Sequence, residues 1–327
     1  MAIPDLGYLA LSENPSAEAG RALIRQFVLV READRMGYDD IWLGEHHADG
    51  AWPQSAIVAL LGHLAAASTK ARIGALPLLP ALRRAQPLAE DLATLDLLSK
   101  GRLELAVASG AAQPGLLATH GLTPATARDR LITVMAELQQ ILGTPRTPQA
   151  QPGSAGLVPA LGRPHIPTWL AADDESGLRH AGAQGWGVVA AATHTQARVL
   201  RAHRIASEAA AAAGLAAPPL LLARFACSAD THDAAVAIAR PYLESFALRA
   251  KAAGWGADPA RSLATDPEAL LAESLVGSHA EVAQRFSALS STHGASRVAI
   301  VPTSGQFDTH KHILAAFVDE VRPLLDD

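Results

Sequence analysis

Hydrophobic and polar positions along the chain switch period repeatedly, and the switches come in a fixed order. Short apolar runs with β character at residues 6–10, 40–44, 72–79, 103–108, 167–172, 187–191, 220–226 and 297–301 alternate with longer runs of helical spacing. The helical runs fall at 16–36, 55–67, 87–99, 125–142, 175–184, 195–213, 231–252 and 309–325. A further helix opens at Ser278, where Ser278 and Glu281 form a capping box that ties down two free amides. Strict alternation of strand and helix requires a parallel sheet. Eight units with no second fold-like block favour closure into an α/β fold of the (β/α)8 barrel type, one domain over residues 1–327. Two segments break the repeat. Residues 143–164 are rich in Pro and Gly, and residues 254–274 contain Asp258-Pro259 and Asp266-Pro267; both read as insertions over the C-terminal mouth of the barrel.

Composition narrows the function. The chain has 327 residues, 49% hydrophobic but only 4% aromatic, so its core is built from Ala, Leu and Val packed closely on a sheet. Lys plus Arg number 27 against 32 Asp plus Glu, a net charge of -5, which offers no footprint for nucleic acid or an anionic membrane. Cys227 is the single cysteine; it excludes an internal disulfide and thiolate clusters and fits a reducing, cytoplasmic setting. Met1 to Asp5 carries no basic, apolar export signal, and the apolar stretch 209–223 is broken by Gly214 and Pro218-Pro219, so no membrane span is expected.

In a closed barrel the chemistry sits just after each strand, which directs attention to a few dozen residues. Glu45-His46-His47 after the second strand is the densest cluster. Neighbouring side chains at a strand end point in opposite directions, so one histidine can face the cavity while the other supports the loop. A cavity-facing histidine can hydrogen-bond a bound ring or oxyanion and exchange a proton near neutrality. A metal site drawing on Glu45, His46, Asp173 and His194 is the rival reading, but no ligand spacing signature accompanies it, and no metal is expected. Phosphate binding at a helix N-terminus after a late strand is a further use of such barrels, and the turn after strand 5 is the candidate. It reads Ala172-Asp173-Asp174-Glu175-Ser176, where carboxylates equally serve as helix caps.

The run Met36 to His47 resembles the bacterial luciferase-like flavin monooxygenases, whose second strand ends in Glu-His-His after a Gly-aromatic-Asp turn. Leu92 to Leu103, with Ser99-Lys100-Gly101-Arg102, resembles that family's entry to strand 4. Ile166 to Ala172 resembles its fifth strand, and Leu275 to Val282 its late Val-Gly-Ser helix start. The resemblance implies a barrel that takes reduced FMN from a separate flavin reductase and uses dioxygen to oxygenate a small organic substrate. It implies His46 as the catalytic histidine, with Glu45 and His47 beside it. The implied cofactor contacts are Leu76 and Pro77, with a cis peptide between them, Ser109 and Gly110 after strand 4, and Ala172, Asp173, Asp174 and Ser176 after strand 5. Ser109 stands where many members carry a phosphate-clamping Arg, and Asp173 and Asp174 where the family has small hydroxyl residues. A barrel that binds flavin poorly and acts as a binding protein, or one using a deazaflavin or a metal, therefore stays open. The helix at 57–67 is apolar nearly all round, which, with the resemblance, predicts a two-fold homodimer centred on it.

Overall fold

The structure, a computed structural model, describes residues 3–143, 157–172, 174–256, 258, 260 and 262–325. Its strands are β1 (Asp5–Ala10), β2 (Asp40–Leu43), β3 (Arg72–Leu78), β4 (Leu103–Val107), β5 (Thr168–Leu170), β6 (Gly187–Ala190), β7 (Leu220–Ala229), β8 (Leu275–Ser278) and β9 (Ala295–Pro302). Every pairing among them is parallel. β1 to β7 follow one another around the barrel and β9 closes it between β7 and β1, so the eight strands expected from the sequence are its eight staves. β8 stands outside the ring. It pairs with Ala226–Ala229, the stretch by which β7 overshoots the barrel rim, and so could not be read from local period alone.

Side chains at alternate positions fill the barrel. Its middle layer is Trp42, Leu76, Ala106, Trp169, Val189, Leu221 and Ala299. The two indoles are accommodated by glycines: a Cβ on Gly187 would sit 2.1 Å from the Trp169 ring, and one on Gly74 2.6 Å from that of Trp42. Below them, at the strand N-termini, the barrel is closed by charge. Arg297 Nη1 lies 2.7 Å from Glu104 Oε2, Arg72 Nη2 lies 3.1 Å from Asp40 Oδ2, and the indole N–H groups of Trp42 and Trp169 donate to Asp40 and Glu104. Burial pushes the Asp40 carboxyl up to about 6 despite Arg297 and Arg72.

Among the described residues no helix is long and apolar enough to cross a membrane. The described parts of the two irregular segments lie at opposite ends of the barrel. Ala260 and Ser262 to Ala264 reach the mouth, where Leu263 N donates to Thr193 O (2.7 Å) and Thr195 Oγ1 to Ala260 O (3.1 Å). The described ends of 143–164, by contrast, lie at the N-terminal face. Gly143 and Pro164 border a cavity of about 480 Å³ with Gly187 and Arg297, at the starts of β6 and β9. The reason is geometric: the helix Pro124–Leu142 runs back against the strands, so the link from its end to β5 belongs at the strand N-termini.

Candidate active site at the barrel mouth

Glu45, His46 and His47 leave the end of β2 in different directions. Glu45 is buried and holds neighbouring loops together: its Oε2 accepts from Leu79 N (2.8 Å), and its Oε1 lies 2.8 Å from both His47 Nε2 and Arg83 Nη2. Glu45 thus ties the ends of β2 and β3 to each other, with His47 on its outer side. His46 turns inward. Its ring packs 4.7 Å from the ring of Trp52 and against Gly44, where a Cβ would stand 2.7 Å from His46 Nε2. Burial pushes His46 down to about 4; Asp49 opposes the shift, while His47 and Arg249 add to it. At neutral pH the imidazole is therefore uncharged and can donate one hydrogen bond and accept another.

Trp52 organises this side of the mouth. Its Nε1 donates to Glu13 Oε1 (2.9 Å), which also accepts from Tyr242 Oη (2.5 Å), so a single carboxylate joins the loop after β1 to the helix His232–Ala252. Burial raises the Glu13 carboxyl above its ordinary range. Trp255 stacks on Trp52 at 6.1 Å and 13°, Phe246 lies 6.0 Å away, and the Arg249 guanidinium sits 4.5 Å from the Trp52 ring centre. Behind this wall a buried chain of hydrogen bonds fixes the loop ends. His310 Nδ1 donates to Ser304 O (3.0 Å), Tyr8 Oη to His310 Nε2 (2.8 Å), Gln26 Nε2 to Tyr8 Oη (2.8 Å), and Ser12 N to Gln26 Oε1 (2.8 Å).

Across the mouth, between the ends of β4 and β5, lies a cavity of about 240 Å³ bordered by Ser109, Arg128, Ala172, Asp174, Ser176 and Gly177, among others. Asp174 caps the helix Glu175–Ala183 through Gly177 N (2.8 Å), and its Oδ2 lies 3.6 Å from Arg128 Nε. Asp173 lies outside the described residues. Gly110 is buried with φ 77° and packs by Leu79 and Leu117, under the loop rather than in the cavity. Leu76 faces the barrel interior and its peptide bond to Pro77 is cis. The sequence therefore located both halves of the mouth but missed Arg128, which reaches the β4 end from the following helix, and missed Trp52, Glu13 and Arg249. Only Trp52, a lone aromatic just past the histidines, carried a readable signal. Among the described residues no group of three or more His, Cys, Asp or Glu is placed to hold a metal ion.

The residues around the smaller cavity fit a phosphate monoester. They supply one guanidinium, two hydroxyls and a helix N-terminus against two carboxylates, Asp174, already engaged as a cap, and Asp129.

Known proteins agree with this architecture. An uncharacterized protein of Bacillus subtilis, YvbT, is 35% identical over 77 residues, covering 24% of this chain and 23% of the relative. An uncharacterized protein of Sinorhizobium fredii, y4wF, is 28% identical over 177 residues, 51% of this chain and 52% of the relative, so the matches span about half or less of these curated relatives. Among solved structures, a monooxygenase from Streptomyces bottropensis superposes with a TM-score of 0.81 at 20% identity over 98% of this chain and 99% of the other. The oxygenating constituent of 3,6-diketocamphane monooxygenase from Pseudomonas putida, in complex with FMN, gives 0.80 at 18% identity over 99% of both. An F420-dependent secondary alcohol dehydrogenase gives 0.74 at 17% over the whole of both chains. The model of the luciferase-like monooxygenases matches residues 5–296, and the chain belongs to that family.

Proposed function

We propose that the protein is a flavin-dependent monooxygenase that takes reduced FMN from a separate flavin reductase and uses dioxygen to oxygenate a small organic substrate, working as a homodimer in the cytoplasm. The observation that carries this reading is the pairing, across one barrel mouth, of an inward, uncharged His46 with a phosphate-sized cavity holding Arg128. Arg128, Ser109 and Ser176 would hold the cofactor phosphate, and Leu76, facing the barrel interior, would contact its ring system. Bound reduced flavin would supply the electrons for activating dioxygen. His46, packed against Trp52 and Gly44, holds or relays a proton by hydrogen bonding as neutral imidazole, and Glu45 and His47 keep its loop in place.

A deazaflavin-dependent hydride transfer is the second reading, because a cavity that recognises a phosphate is indifferent to the atom at the centre of the ring. Titration of the purified protein with FMN, riboflavin and a deazaflavin monophosphate, followed by oxidation of the reduced complex in air, separates the two. FMN-selective binding and oxygen-dependent product support the monooxygenase. With a substrate in hand, His46→Ala lowers turnover roughly 100-fold or more with little change in FMN affinity; unchanged turnover removes His46 from the chemistry.

A further inference from the structure

Among the described residues Arg249 is the one charged group on the wall beside His46 whose side chain makes neither a hydrogen bond nor an ion pair, although its charge acts on the Glu13 carboxyl and lowers it. Its Nε is buried without a partner. The nearby acid, Glu13, has its Oε1 already engaged by Trp52 and Tyr242. What Arg249 does contact is the face of Trp52, 4.5 Å from the ring centre, and this ring stands 4.7 Å from His46. A guanidinium seated over an indole face has no anion there to pair with, and its fork of N–H groups suits the paired bonds of a carboxylate. The rest of the wall is apolar and planar: Trp52, Phe246 and Trp255, the last carried between Gly254 (φ 70°) and Gly256 (φ 64°) in the turn after the helix.

We infer that Arg249 is the specificity-determining residue of the mouth and that the substrate is an organic anion with a flat, apolar body, an aryl carboxylate in the simplest case. The inference rests on the mouth being the substrate site. The carboxylate meets Arg249, the body lies along Trp255, which Trp52 backs from the buried side, and the carbon to be altered is directed toward His46. The charge also filters: an uncharged analogue of the same shape leaves the guanidinium unpaired and gains only the apolar contact.

The test is calorimetric titration of the flavin-free protein with 2-naphthoate and with 2-naphthamide, which share a shape and differ in charge. Naphthoate binds wild type at least about tenfold more tightly. Arg249→Met erases the preference, Arg249→Lys retains part of it, and Trp255→Ala weakens both ligands alike. Equal binding of the two ligands, no binding of naphthoate, or a preference that survives Arg249→Met overturns the proposal. FMN titration of the same samples reports separately on the cofactor reading, since the cavity at Arg128 lies across the mouth from Arg249.

Discussion

Arg128 Nε and Asp174 Oδ2 lie 3.6 Å apart at the edge of the cavity between β4 and β5, and with Asp129 they are the charges an incoming phosphate meets there. Both are partly exposed, so the pair itself stabilises the fold little. Its effect is on ligands. Asp174 is held as a helix cap, whereas Arg128 is free to turn from it toward a dianion.

Arg128→Ala should therefore weaken FMN binding by about tenfold or more and leave riboflavin, which has no phosphate, nearly unchanged. Asp174→Asn keeps the cap and removes a charge, and should tighten FMN by several-fold. Fluorescence titration with both ligands decides. Equal effects on FMN and riboflavin would place the phosphate elsewhere.

Glu45 offers a test of positioning. Its carboxylate is fully buried among Leu79 N, His47 and Arg83, so Glu45→Ala strands a guanidinium and an amide and should cost about 3–5 kcal/mol of stability. Glu45→Gln keeps the amide contact and should cost about 1–3 kcal/mol. Urea unfolding measures both. A loss below about 0.5 kcal/mol for Glu45→Ala would show that the β2–β3 junction does not depend on this group.

The barrel was legible because strand and helix periods alternate without interruption, and burial on both faces of a parallel sheet leaves that signal strong. β8 escaped because four residues pairing with an overshooting strand have no period of their own. At the site, the strand end pointed to the pair His46 and His47, and only the family resemblance selected His46, the one that turns inward. Arg128 and Arg249 could not. Each lies on a helical run where an arginine ordinarily faces solvent, and only tertiary packing brings one to the end of β4 and the other onto Trp52.

Stability should fall with acid through three histidines. Burial pushes His46, His293 and His310 each down to about 4 from an ordinary value near 6.5. A depressed value means the folded state binds fewer protons than the unfolded state. The stability these groups contribute is complete above about pH 6.5 and is lost as pH falls toward 4. Asp40 works in the opposite sense: with its carboxyl raised to about 6, its cost is present above that pH and is relieved below it. Glu13, whose carboxyl burial also raises, acts in the same sense as Asp40, and three against two leaves a net loss. His310→Gln should flatten the stability–pH slope between pH 4 and 6.5 by about one proton. A slope identical to wild type by urea unfolding at stepped pH would mean that His310 is not held neutral by its place between Tyr8 and Ser304.

The proposed dimer makes a sharper demand on the surface. A groove of about 550 Å³ runs between the helices Ala19–Met36 and Ile57–Ala67, lined by Leu23, Ile24, Phe27, Leu60, His63 and Ala67, and Ile24 is 71% exposed. The second helix buries Ile57, Leu61, Leu64 and Ala65 against the barrel and leaves Ala59 exposed with Val58 and Leu60 half-buried beside it. An apolar face this broad on a barrel helix is what a second copy would cover, and across a two-fold axis one substitution places two like charges in one interface. Sedimentation should give a dimer for the wild type at micromolar concentration. Ile24→Glu and Leu60→Glu should each give a monomer, and Ile24→Glu, at an exposed position, should do so with an unchanged far-ultraviolet spectrum. A monomeric wild type would remove the dimer, and a dimer that persists in both variants would move its interface to another face of the barrel.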